Sequence, residues 1–83
     1  MGTSAHRNLQ IVEHEGESYL LLPRSTPSSY EIVRLKDQLG VGAVWLAYGD
    51  HRKLGFRHAA KQGVSRSDIR EIVLAGIRGG LFA

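Results

Sequence analysis

Residues 55–72 read GFRHAAKQGVSRSDIREI, and this stretch decides the fold that the sequence predicts. Gly63 provides the left-handed backbone conformation that a tight turn requires, and Val64 follows it as a core residue. Ala59 lies four residues before the glycine, so a small side chain stands where two helices can cross closely. The stretch predicts two helices joined at Gly63.

The second of these helices has a clear start and an apolar face. Ser65 is suited to be its N-cap, and Asp68 follows three residues later near the positive end of the helix dipole. Ile69 and Ile72 are one helical turn apart on one face. The pattern predicts a helix from about Arg66 to Ile77 with both isoleucines buried.

The two-helix pattern of residues 55–72 resembles the helix-turn-helix of phage-type repressors, whose second helix enters the DNA major groove. It covers about a quarter of the chain. Gln62 and His58 depart from the family pattern, because they stand where it usually has apolar core residues. The resemblance implies a small DNA-binding transcriptional regulator that acts as a dimer. The alternative is a protein-interaction module, such as an antirepressor, an inhibitor or a small assembly subunit, because similar helical corners bind protein instead of DNA.

The resemblance also implies which side chains contact double-stranded DNA. Arginine suits bidentate contacts to guanine, and serine suits contacts to phosphate or to either type of base. The second helix contributes its first residues and one arginine a turn further on, and two basic residues before it flank a phosphate strand. The implied DNA-binding residues are Ser65, Arg66, Ser67, Arg70, Lys61 and Arg57.

Charge is distributed unevenly along the chain. Residues 1–40 hold four basic and five acidic side chains, a net charge of −1, whereas residues 41–83 hold seven basic and three acidic ones, a net charge of +4. The basic half contains the helix-turn-helix-like segment. Because neutralisation of phosphates provides most non-specific affinity for nucleic acid, this distribution favours the DNA-binding hypothesis.

The length of 83 residues predicts one small domain, 1–83, with residues 1–6 as a flexible tail or a cloning scar. The chain has no cysteine, which excludes disulfides and cysteine-based zinc sites and favours a cytoplasmic location. It has neither a long apolar run nor a signal-peptide pattern, so no membrane segment is predicted.

The first third of the chain predicts a β-hairpin. Residues 8–12 and 18–23 are short apolar segments, and Gly16 provides a positive φ between them. Residues 19–22 are apolar on both faces of the strand. This segment is therefore expected to be covered on both sides, by the helices or by a partner chain.

A helix is predicted from about Ser29 to Leu39. Ser28 and Glu31 have the spacing of a capping box, and the apolar residues that follow have helical spacing up to Gly40. Residues 41–48, VGAVWLAY, suit a buried strand or a buried helix, and periodicity does not separate the two. We favour the helix, since a helical pair needs a third helix to enclose a core. The predicted fold class is thus α+β, with an N-terminal β-hairpin followed by about three helices.

The end of the chain carries an apolar pair, Leu81 and Phe82, after Gly79 and Gly80. Such a pair either folds back on its own core or docks on a second subunit. Together with the doubly apolar strand, it leads us to expect a homodimer.

Neither a metal site nor a catalytic site is predicted. The spacings of His14 with its neighbouring glutamates, and of His51 with His58, match no known zinc ligand pattern. No nucleophile elbow or phosphate-binding glycine loop is present. The sequence therefore predicts no cofactor and no enzyme activity. The histidines are expected to be scattered and solvated.

Overall fold

The computed structural model describes residues 9–26, 28–47, 53–59 and 63–82. Five strands form one antiparallel sheet in the order of the chain, and a single helix follows them. The elements are β1 (Gln10–His14), β2 (Glu17–Pro23), β3 (Ser29–Arg34), β4 (Leu39–Ala47), β5 (Lys53–His58) and α1 (Arg66–Arg78). The predicted fold of a hairpin with about three helices is therefore wrong.

The predicted N-terminal hairpin is confirmed as β1 and β2. Val12 pairs with Tyr19 across it. Glu15 and Gly16 form the connection with φ values of 50° and 80°, and two successive positive φ angles are typical of the tight turn that matches the twist of a hairpin. Gly16 therefore has the conformation that the sequence predicted.

The helix predicted from Ser29 to Leu39 is wrong, because Ser29–Arg34 is strand β3. Ser28 has a positive φ of 56° instead of the extended conformation of an N-cap. Tyr30 and Ile32 are buried while Glu31 between them is exposed, which is the two-residue period of a strand. Pairing with β2 and β4 prevails over the local helical spacing.

The preference for a helix over residues 41–48 is also wrong, and the alternative of a strand is correct for β4. Residue 48 lies outside the described residues. The strand is buried along residues 41–44. Its register shifts between Ile32 and Val33 of β3, which leaves Val41 as an extra, fully buried residue. A side chain at Gly42 would collide with the Arg57 carbonyl oxygen, so this residue allows the close approach of β5.

The first helix of the predicted helix-turn-helix is wrong, because strand β5 occupies its place in the chain. Residues 53–58 pair with β4, with Phe56 opposite Val44, and the Ala59 N–H then donates to the Val41 carbonyl at 2.9 Å. Gly63 has the predicted positive φ of 71°, but it leads from a strand segment to α1 and not from one helix to another. The chain therefore has no helix-turn-helix across the described part of residues 55–72.

The last predicted helix is confirmed as α1, with Ile69 and Ile72 fully buried against the sheet. The apolar end of the chain folds back on its own core. The Tyr30 hydroxyl donates to the Leu81 carbonyl at 3.0 Å, and the Phe82 ring lies edge-on to the Tyr30 ring with 5.7 Å between centroids.

The sheet has two unlike faces. The helix face packs under α1 and forms the core with it, and its buried strand residues are Val12, Tyr19, Leu21, Tyr30, Ile32 and Val44. The open face lies opposite α1 and carries the intervening residues of each strand, which are Ile11, Glu13, Ser18, Leu20, Leu22, Ser29, Glu31, Val33, Gly40, Ala43, Trp45, Gly55 and Arg57. Within the described part of the chain, α1 packs only on the helix face, so the expected cover on both sides of β2 is found on one side.

Candidate nucleic-acid interface

The N-terminus of α1 is fixed by a complete capping box. The Ser65 hydroxyl accepts the Asp68 N–H at 3.0 Å, and the Asp68 carboxylate accepts the Ser65 N–H at 2.9 Å. The Ser65 hydroxyl also donates to that carboxylate at 2.9 Å. These bonds satisfy backbone donors that a helix start leaves unpaired, and they confirm the predicted N-cap.

Asp68 also connects α1 to the first hairpin. Its Oδ1 atom accepts a hydrogen bond from His14 Nε2 at 2.9 Å, and this link joins residues 54 positions apart. The hydrogen bond from His14 is the main cause that lowers the pKa of Asp68 from 3.8 to about 2, and the bonds from the Ser65 backbone and side chain add to it. Asp68 is therefore ionised at neutral pH, and both of its oxygens are already engaged.

Exposed arginines occupy the outer side of α1. Arg66, Arg70 and Arg78 are all exposed, and Ser67 is exposed beside them. We call these four residues the arginine surface. Glu71 is also exposed on this helix, so the charged side chains on its outer side are three basic and one acidic. Among the described residues, the salt bridges include none of these three arginines.

Two contacts show how this surface is oriented. The Arg66 guanidinium lies 4.9 Å from the centroid of the Phe56 ring on β5, where a cation and an aromatic face attract each other. Asp68 turns to the other side of the helix, toward His14 on β1. Asp68, one of the two acidic residues that the sequence interleaves with the arginines, is thus directed away from Arg66 and engaged by His14.

The structure divides the six predicted DNA-binding residues. Arg66, Ser67 and Arg70 lie together on α1, whereas the Ser65 hydroxyl is engaged in the cap. Arg57 belongs to β5, where it pairs with Ala43 on the open face, so it does not join the helical residues. Lys61 lies outside the described residues.

His14 and His58 have structural contacts and are not the scattered solvated histidines that we predicted. The ring of His58 is half-buried and its Nε2 hydrogen bonds to the Val64 carbonyl, just before α1. His14, Glu15 and Asp68 place one ligand atom each within 4.8 Å of one another, as a metal ion requires. However, His14 and Asp68 already satisfy each other at this point, so a metal ion would have to replace their hydrogen bond.

Sequence reasoning missed two residues that build this surface. His14 is far from Asp68 along the chain, and nothing in the local pattern of either residue indicates that the hairpin turn and the helix start meet. Phe56 falls in the first helix of the helix-turn-helix pattern, and the strand alternative for residues 41–48 continues into a second strand through Leu54 and Phe56. That second strand is confirmed as β5, but neither interpretation places Phe56 under Arg66. Both contacts depend on the pairing of strands, which places β1 and β5 on either side of the helix start.

Comparison with protein-family models, curated proteins and solved structures finds no match to this chain. Among the described residues, the single helix of 13 residues is too short to cross a membrane.

Proposed function

We propose that this chain is a DNA-binding protein that contacts the duplex with the arginine surface of α1. The observation that carries the proposal is the excess of exposed positive charge on this helix: three arginines and one glutamate, Glu71, are exposed, while Asp68 is turned toward His14 and held there. A sequence-specific regulator of transcription is the biological role that we attach to it.

Physical chemistry makes such a surface suitable for DNA. An α-helix fits into the major groove, and arginine can form two parallel hydrogen bonds to guanine or neutralise phosphate. Thirteen residues give α1 a length of about 20 Å, enough to span several base pairs. The hydroxyl of Ser67 adds a short hydrogen-bond donor and acceptor beside the longer arginine side chains.

The proposed mode differs from a helix-turn-helix. The sheet takes the place of the supporting helix, because Ile69, Ile72 and Val73 anchor α1 on it. The capping box and the bond from Gln10 Nε2 to the Gly79 carbonyl, 3.0 Å, hold the two ends of the helix. A rigid helix loses little conformational freedom on binding, which favours specific contacts.

The proposal predicts that Arg66→Ala combined with Arg70→Ala removes most of the DNA affinity and reduces its salt dependence. Fluorescence anisotropy with duplex DNA over a salt series measures both quantities, since each phosphate contact contributes about one unit of slope. Thermal stability is expected to change little, because exposed substitutions fall within about 0.5 kcal/mol.

Arg57→Ala is the matched control, since it removes one exposed arginine from the opposite side of the molecule. We expect it to leave most of the affinity in place. Unchanged affinity in the double variant would contradict the proposal, as would a larger loss from Arg57→Ala than from the helical pair.

A protein-interaction role without DNA contact is the second candidate, and the open face favours it. Ile11, Leu22 and Trp45 on that face are 61%, 37% and 37% exposed, and exposed apolar side chains can take part in contacts with another protein. This role predicts no affinity for duplex DNA even at low salt, together with self-association of the chain.

A further inference from the structure

Three side chains that can bind a metal ion meet at the start of α1. His14 ends β1, Glu15 lies in the hairpin turn that follows, and Asp68 lies in the first turn of α1. One ligand atom of each lies within 4.8 Å of the other two. Because His14 and Asp68 are 54 positions apart in the chain, the fold and not the local sequence brings these atoms together.

The distances between these atoms suit a single small cation. His14 Nε2 lies 2.9 Å from Asp68 Oδ1 and 3.9 Å from Glu15 Oε1. Zinc binds nitrogen and oxygen ligands at about 2.0–2.2 Å, so two ligands of a tetrahedral ion are about 3.4 Å apart. The two observed distances lie on either side of that value, so small movements of the side chains bring the three atoms onto one ion.

Two of the three ligands are held in place by other residues. Asp68 Oδ2 accepts bonds from the backbone N–H and the hydroxyl of Ser65, while Oδ1 faces His14. The His14 side chain is 17% exposed, and its ring lies tilted against the Tyr19 ring with 6.5 Å between centroids. Neighbours that fix the orientation of a ligand in this way are typical of metal sites in proteins.

Glu15 contributes the third ligand from the solvent side. Its side chain is 77% exposed, so it can turn toward the ion without disturbing the core, and water can occupy a fourth position. Together with Asp68 it provides two carboxylates, which balance the charge of a divalent cation. This balance offsets the positive end of the α1 dipole, which by itself disfavours a cation.

We propose that His14, Glu15 and Asp68 bind a divalent transition-metal ion of the zinc type. The ion takes the place of the hydrogen bond between His14 Nε2 and Asp68 Oδ1, and the neutral imidazole then carries its proton on Nδ1 instead of Nε2. The imidazole nitrogen selects this class of metal, because Mg²⁺ and Ca²⁺ prefer oxygen ligands. Asp68 keeps its capping bonds through Oδ2, so the start of α1 is preserved.

A metal ion at this site connects the first hairpin to the helix that carries the arginine surface. An ion that binds only the folded chain raises its thermal stability as the concentration of the ion rises. Neither the site nor this effect depends on DNA, so failure of the metal proposal leaves the DNA proposal untouched, and the reverse also holds.

Isothermal titration calorimetry with zinc chloride tests the proposal, with saturable binding of one ion per chain as the expected result. His14→Gln keeps a hydrogen-bond donor beside Asp68 but removes the imidazole, and Glu15→Gln removes a carboxylate at an exposed position. Each variant should lower the affinity roughly tenfold or more, since loss of a group that only orients a metal ligand already costs about 10–100-fold.

Glu17→Gln is the matched control, because it removes a glutamate of the same hairpin that pairs with Lys36 at 3.3 Å and lies outside the cluster. It should bind zinc as tightly as the unmodified chain. Glu15→Gln keeps the test decisive if His14→Gln fails to fold.

Nitrogen-15 nuclear magnetic resonance of the histidine rings identifies the ligand directly. On addition of zinc, His14 is expected to show a metal-bound Nε2 and a protonated Nδ1, whereas the signals of His58 should stay in place. The absence of saturable binding would overturn the proposal. So would full affinity in Glu15→Gln, zinc-dependent shifts that leave His14 unchanged, or release of the zinc ion by a large excess of Mg²⁺.

Discussion

Leu21 and Leu22 are neighbours in β2 and have the same side chain, but they lie on opposite faces of the sheet. Leu21 is fully buried under α1, whereas Leu22 on the open face is 37% exposed. Local sequence does not distinguish them. What distinguishes them is α1, which follows the last strand and packs on one face only.

This difference shows that some apolar residues of a small chain form its core, whereas others stay on its surface. The helix face collects the fully buried side chains, among them Ile32 and Val44 from the sheet and Ile69 from the helix. The open face keeps apolar residues exposed and leads to the edge at β1. The helix face thus holds α1 in place, whereas several apolar side chains of the open face remain exposed.

The largest effect that we expect separates these two faces directly. Leu21→Ala should lower the free energy of unfolding by roughly 2–5 kcal/mol, because it removes buried methyl groups and leaves a cavity under α1. Leu22→Ala should cost about 1 kcal/mol or less, because water already reaches this side chain. Urea denaturation of both variants at the same protein concentration measures the difference. Equal costs would show that the open face is covered, and that the contrast between the faces is absent in solution.

A smaller effect concerns the hydrogen bond that links Asp68 at the start of α1 to His14 of the first hairpin. The pKa of Asp68 is lowered to about 2, so its carboxylate stabilises the fold fully above its ordinary value of 3.8, and this contribution is lost as the pH falls toward about 2. Asp68→Asn should therefore be less stable than the unmodified chain at neutral pH. The gap between the two should narrow as the pH is lowered through this range.

Asp37→Asn is the matched control for that measurement. Asp37 pairs with Arg34 within one turn at 2.8 Å, and the hydrogen bond from this arginine likewise lowers its pKa. The pair is local and Asp37 is exposed, so its loss should cost less than the loss of a link across 54 positions. A gap for Asp68→Asn that does not change with pH would mean that the ionised form of Asp68 adds nothing to stability through its bonds to His14 and Ser65.

The sequence predicted those parts of the fold that depend on neighbouring residues. Ser65 and Asp68 form a capping box within four residues, and Gly16 provides a turn between two adjacent strands, so both signals are local. Ser28 and Glu31 show the same kind of spacing, but there the backbone enters a strand. A capping motif of two residues is too short to prevail against strand pairing on both sides.

The candidate site was predicted only in part, for the same reason. Arg66, Ser67 and Arg70 fall together because one helix carries them. Arg57 was separated from them because its strand replaces a predicted helix and places it on the open face. The sequence could not show that Asp68 turns away from the arginines, since that orientation depends on His14 in a distant strand.

The central claim is that α1, held on one face of the sheet, presents the surface that binds DNA. The most direct test is a nuclear magnetic resonance titration of the labelled protein with duplex DNA at low and at high salt. We predict that the backbone signals of Ser67, Arg70 and their neighbours in α1 shift at low salt and return at high salt, while Ala43 and Trp45 on the open face do not move. Shifts that concentrate on the open face, or no shifts at low salt, would contradict the account.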